Sequence, residues 1–171
     1  MNELFDIAGK VALVTGGSRG IGEMIAEGYV ARGVKTYISS RKADACSATA
    51  ERLSLHGECI AIPANLSSLE GVHHLANAIK AREPQLDILV NNAGATWGAS
   101  IEEFPESGWD KVMDINVKGP FFLTRLCCRC SKNQRHQRIP PASSWWARSM
   151  ALASTAYRHF RTAPARRRCI I

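Results

Sequence analysis

Lys10–Gly22 reads KVALVTGGSRGIG, and the order of residue types in it decides how the rest of the chain is read. Val11, Ala12, Leu13 and Val14 form an apolar run without polar alternation, the pattern of a strand buried on both faces. Thr15, Gly16, Gly17 and Ser18 break that run, and Arg19 to Gly22 open a helical pattern. Strand, glycine turn and helix start in this order make a phosphate-binding element. Glycine lets the backbone approach a pyrophosphate closely, and free N–H groups at the helix start face the anion. Gly16, Gly20 and Gly22 are spaced G-x-x-x-G-x-G, unlike the G-x-G-x-x-G of the commonest dinucleotide fingerprint. Such a turn also serves as plain structure, so the reading depends on its company.

Beyond the turn, Ile21, Met24, Ile25 and Gly28 fall at i, i+3, i+4 and i+7 and predict the buried face of a helix that Gly33 ends. Strands are predicted at Lys35–Ser39, Glu58–Ile62 and Leu86–Val90, and a helix from about Ala43 to His56. Ser67 to Glu70, Ser-Ser-Leu-Glu, reads as a capping box opening a helix whose buried face is Leu69, Val72, Ala76 and Ile79. A further helix is predicted over about Pro105 to Leu126, with Trp109, Val112, Met113 and Val117 as its apolar face, interrupted by Gly119-Pro120. This alternation predicts an α/β fold: a Rossmann-like, doubly wound parallel sheet of four strands ordered 3-2-1-4.

The 171 residues carry a formal net charge of +7, but not evenly. Up to Leu126 there are 15 Asp/Glu against 12 Lys/Arg; beyond it lie 10 basic residues and no acid. Cysteine is skewed the same way, with Cys127, Cys128, Cys130 and Cys169 in the tail and only Cys46 and Cys59 before it. Two compositions meet near residue 126, giving residues 1–126 as an incomplete, truncated form of the fold and 127–171 as an irregular basic tail expected to be poorly ordered. No apolar run reaches the ~18 residues that span a bilayer, so no membrane partner is expected. The N-terminus MNELFDIAGK carries acids and lacks the basic and apolar regions of a signal peptide, which predicts a cytoplasmic location. The five histidines show no ligand spacing with cysteines or carboxylates, and no metal is expected.

The glycine turn, Ser40-Arg41 after the second strand and Asn91-Asn92-Ala93-Gly94 after the fourth all fall at carboxyl ends of strands, where ligands bind in such a sheet. With TGGSRGIG (Thr15–Gly22), NNAG (Asn91–Gly94) and NVKGPF (Asn116–Phe121) in that order, the chain resembles the short-chain dehydrogenase/reductase family from about residue 5 to 126. Within it the bacterial 3-oxoacyl reductases look closest. The resemblance implies an oxidoreductase that moves a hydride between NADP and a small carbonyl or alcohol substrate, in a family that is usually dimeric or tetrameric. It assigns the cofactor loop to Gly16, Ser18, Arg19, Gly20, Ile21 and Gly22. Asn65 and Leu66 fall at the adenine, where the family usually has Asp-Leu, and Asn92, Ala93 and Gly94 run beside the cofactor ribose. Asn116 resembles the asparagine that holds a helix carbonyl and a relay water. Arg41 lies about 20 residues past the loop, where an acid would favour NAD and an arginine accommodates the 2′-phosphate of NADP. With Arg19 it favours NADP over NAD; the alternative is a solvated surface cation.

The family's chemistry also needs a serine, a tyrosine and a lysine four residues after that tyrosine. Downstream, Ser144, Tyr157 and Arg161 mimic the spacing, but arginine is too basic and too large for the lysine's role. His136–Ser144 lacks the pattern of a buried strand, and Arg161–Arg168 that of an apolar helix. A reading-frame change near Leu126 fits better. In a shifted frame joining the last base of one codon to the first two of the next, Cys127-Cys128 must encode leucine. In the same frame Trp145-Trp146 must encode valine, and Trp146-Ala147 and Met150-Ala151 glycine, while Ala147-Arg148 can encode serine. The shifted text permits V-G-S-x-x-G, similar to the family segment that bears the catalytic serine.

Three readings therefore stand. The parent identity is an NADP-dependent oxidoreductase, inactive as written; the second is a catalytically dead dinucleotide-binding fragment. The third is a nucleic-acid or anionic-surface binder acting through the tail, disfavoured because the tail's cations form no helical stripe and its two tryptophans, Trp145 and Trp146, are adjacent.

Overall fold

The computed structural model describes residues 6–128. Four parallel strands, β1 (Val11–Thr15), β2 (Lys35–Ser39), β3 (Cys59–Ala61) and β4 (Ile88–Val90), lie in the order β3-β2-β1-β4, as the alternation of elements predicts. Successive strand residues point to opposite faces, so the sheet carries two cores. Leu13 and Tyr37 face α3 (Leu69–Arg82) and α5 (Gly119–Cys128), packing with Val72, Leu75, Ile79 and Leu123. Val14 and Ile38 face α1 (Gly20–Val30) and α2 (Ala43–Leu53), packing with Ala26, Val30, Cys46 and Leu53. Each large apolar side chain so buried contributes about 1.5–3 kcal/mol against exposure.

Several local readings are corrected. The buried side of α1 is Gly22, Ala26 and Val30, while Ile21 and Met24 stay 71% and 68% exposed. Gly22 must press on the glycine turn, and that contact sets the rotation of the helix. The N-cap of α3 is Ser68, not Ser67: its hydroxyl accepts from Gly71 N at 3.2 Å, whereas Ser67 N donates to Asn65 Oδ1 in an Asx turn. Leu69 is therefore exposed and Leu75 takes its place in the core. The strands β3 and β4 are shorter than predicted, and α2 ends at Leu53, where the Ser54 hydroxyl bonds the carbonyls of Ala50 and Cys59.

The single helix predicted over 105–126 is three pieces: α4 (Glu106–Met113), a π-helical turn (Asp114–Lys118) and α5. Gly119 and Pro120 open α5 directly after the π-helical turn, with Gly119 N–H bonded five residues back to Asp114 O, so the proline falls at the change from π- to α-helical bonding. Trp109 and Met113 are exposed, not buried. Gly33, at φ +71°, ends the α1 region as expected, with its N–H on Val30 O at 3.0 Å. No helix among the described residues is long and apolar enough to cross a membrane. The tail beyond 128 lies outside the described residues.

Candidate functional site

Three loops meet at the carboxyl edge of the sheet because β1, β2 and β4 are adjacent and parallel. Thr15, the last residue of β1, is their hub. Its hydroxyl donates to Val90 O at 3.1 Å and accepts from the N–H groups of Asn92 and Ala93, each at 3.0 Å. Asn92 returns the connection, its Nδ2 donating to Thr15 O at 3.1 Å and Gly16 O at 3.4 Å. From the other side Gly16 N and Gly17 N donate to Ser39 O at 2.7 and 3.2 Å. The Thr49 hydroxyl on α2 holds Ser18 O at 3.1 Å. Each such bond is worth about 1 kcal/mol net, and together they fix the turn before any ligand arrives.

The turn is tight as well as fixed. Gly16 has φ +68°, and a β-carbon there would stand 2.9 Å from Asn92 Nδ2. A β-carbon on Gly22 would overlap the carbonyl of Gly16. The first turn of α1 thus sits directly on the end of β1. Arg19, its N-cap, is extended and makes no side-chain cap hydrogen bond, so the first N–H groups of α1 keep their donors for an anion. A β-carbon on Gly20 (φ +58°) would meet nothing within 4 Å, so the approach on that side is open. Arg19 and Arg41 are both exposed on this rim, and Ser18 is half-buried between β1 and α2.

The remaining predicted residues fall on two sides of this centre. Asn65 is exposed, but its Oδ1 is engaged by Ser67 N; Leu66 is buried in the core beneath α5. Gly94 and Ala95 follow Asn92 and Ala93 along the β4 exit, where Asn116, from the π-helical turn, brackets Ala95. Ala95 N donates to Asn116 Oδ1 at 3.0 Å, and Asn116 Nδ2 donates to Ala95 O at 2.8 Å. A π-turn places this side chain where a straight helix would carry it past, and such turns recur at functional sites. Asn91 ties the β4 exit to α5, its Nδ2 donating to Thr124 Oγ1 at 3.1 Å. Ser144, Tyr157 and Arg161 lie outside the described residues. Sequence reasoning missed Thr49 and Ser39, whose roles have no local signal. No group of metal-ligating side chains occurs among the described residues.

Residues 10–158 match the family model described as short chain dehydrogenase. The match thus passes the change of composition at residue 126 and takes in Ser144 and Tyr157. The chain is 54% identical over 121 residues to the rhamnolipids biosynthesis 3-oxoacyl-[acyl-carrier-protein] reductase of Pseudomonas aeruginosa, covering 71% of this chain and 47% of that one. It is 33% identical over 131 residues to a 3-oxoacyl-[acyl-carrier-protein] reductase of Escherichia coli, covering 77% and 53%. Among solved structures, the Pseudomonas aeruginosa RhlG/NADP active-site complex superposes with a TM-score of 0.71 at 52% identity, over 75% of this chain and 50% of that one. The chain spans about half the length of the relatives it matches.

Proposed function

The chain belongs to the short-chain dehydrogenase family, and from that premise we propose that residues 1–126 are an NADP-binding, Rossmann-like unit of a carbonyl/alcohol oxidoreductase. The observation that carries this reading is the uncapped start of α1, pressed onto β1 through Gly16 and Gly22 and locked there by Asn92. These residues fit a dinucleotide. The N–H groups of Gly20, Ile21 and Gly22 and the positive end of α1 take the pyrophosphate. Asn92, Ala93 and Gly94 flank the ribose, Asn65 and Leu66 the adenine. Arg19 and Arg41 face the 2′-phosphate, and this favours NADP over NAD. The relative solved as an NADP complex supports the same preference.

When bound, NADPH supplies a hydride for a carbonyl carbon. The chain's own part is to bind the cofactor and to hold Asn116 and Ala95 in register beside it. In this reading the proton for the carbonyl oxygen is what the chain lacks. Tyr157 with Arg161 does not replace a tyrosine tuned by lysine, and 127–171, although the family match reaches residue 158, is on this reading a basic tail produced by a frame change near Leu126. The polypeptide then binds NADPH without reducing a ketone, and its location is cytoplasmic. The test compares NADPH oxidation by this chain and by one restored to the alternative frame after Leu126, with 3-oxoacyl and other carbonyl substrates. Turnover by the restored chain alone supports the reading. Equal turnover by both, abolished here by Tyr157→Phe, makes Ser144, Tyr157 and Arg161 a working variant and refutes it.

A further inference from the structure

Thr49 lies in the middle of α2 and is buried. A threonine inside a helix commonly returns its hydroxyl to a carbonyl one turn back in the same helix. Thr49 instead donates to Ser18 O at 3.1 Å, across to the glycine turn 31 residues earlier in the chain. Among the described residues this is the side-chain hydrogen bond that joins α2 to the turn. Ser18 O and Arg19 N belong to one rigid peptide plane, so holding that oxygen also sets the direction in which Arg19 leaves the turn. On its other side Arg19 O accepts from Glu23 N at 3.5 Å, a long bond, and Gly20 beside it has φ +58°. The hold that α2 exerts through Ser18 is the tighter of the two.

The same helix fixes Arg41. Lys42 is the N-cap of α2, and its carbonyl accepts from Cys46 N at 3.0 Å and from the Ser40 hydroxyl at 3.1 Å. Arg41 therefore sits between two residues tied to the first turn of α2. We propose that Thr49 is a positioning residue for cofactor selection: through Ser18 O it keeps Arg19 at the spacing from Arg41 that lets both guanidinium groups reach one 2′-phosphate. The proposal rests on the NADP reading above. A phosphate shared by two cations needs both in place at once. Both side chains are exposed, where a misplaced cation is screened by water and contributes little. NADH has no 2′-phosphate and does not draw on that spacing, although it meets the same N–H groups at the start of α1. The Thr49 hydroxyl thus acts on the preference between the two cofactors, not on dinucleotide binding as a whole.

The test titrates NADPH and NADH calorimetrically into the full wild-type chain, into Thr49→Val, which keeps the shape and removes the hydroxyl, and into Thr49→Ser, which keeps the hydroxyl. Thr49→Val should lower NADPH affinity about 5- to 10-fold and change NADH affinity less than about 2-fold. Thr49→Ser should retain the wild-type preference. In an Arg19→Ala background Thr49→Val should have no further effect on NADPH, because it acts through that arginine. Thr49→Ala carries the same comparison should the valine chain not fold. Equal losses for both cofactors would make Thr49 a general support of the turn and overturn the proposal. Unchanged NADPH affinity, a serine variant that behaves like valine, or an undiminished effect without Arg19 would overturn it as well. A wild-type chain with no preference for NADPH refutes the NADP reading itself, and the role of Thr49 with it.

Discussion

Gly22 packs against the backbone of Gly16: a β-carbon on Gly22 would stand 2.3 Å from Gly16 O and 2.5 Å from Asn92 Nδ2. Helix α1 meets strand β1 at this point, and the anion-facing N–H groups depend on it. Gly22→Ala should therefore push the helix off the turn. The expected outcome is a loss of about 1–3 kcal/mol in urea unfolding together with loss of NADPH binding. Wild-type affinity in this variant would show that the contact does not shape the site.

Asn116 spends both ends of its carboxamide on Ala95. Asn116→Ala should release the β4 exit loop at a cost of about 1–3 kcal/mol, since two backbone groups lose their partner. Hydrogen exchange at the Ala95 amide reads this directly, with faster exchange expected there and little change in β1.

Much of this was legible in the sequence, and the failures share a cause. Strand order followed from apolar runs alternating with helical stripes, and the glycine, Arg41 and NNAG positions followed from motifs at strand ends. The face of α1 was misread because Ile21, Met24 and Ile25 form a better apolar stripe than Gly22 and Ala26, yet backbone contact at Gly22 sets the rotation. The cap of α3 was misplaced by one residue because Asn65 had already engaged Ser67 N. Ser39 and Thr49 carried no signal, since a small polar residue ending a strand or inside a helix reads as filler.

At the opposite edge of the sheet, the Tyr37 hydroxyl donates to Glu83, and Lys35 bridges Glu83 at 2.9 Å and Glu58 at 2.8 Å. Burial, then the Glu83 carboxylate, push Tyr37 up to about 12 from an ordinary value of 10.0. Burial alone would raise Glu83, but the Tyr37 hydroxyl and Lys35 outweigh it and hold its carboxyl below the usual 4.5. A lowered carboxyl stabilises the fold above its unfolded pKa and loses that contribution as pH falls through the folded value. A raised phenol stabilises below 10.0 and loses its share as pH climbs from there towards 12. Unfolding temperature should thus fall below about pH 4.5 and above about pH 10. Glu83→Gln should flatten the acid limb; an unaltered limb would assign it to other carboxylates.

Cys46 and Cys59 lie in the core between α2 and the sheet, and burial pushes the Cys59 thiol up to about 11. Neither should react with a thiol reagent at pH 8 until the chain unfolds. Rapid labelling of either in the folded protein would contradict this packing.

The central claim is NADP binding at the glycine turn with Arg41 on the 2′-phosphate, and calorimetric titration with NADPH and NADH tests it most directly. The full chain should bind NADPH about 10-fold or more tightly than NADH, and Arg41→Asp should reverse the order. Equal affinities for the two cofactors, unchanged by that substitution, would reduce Arg41 to a surface charge and contradict the account.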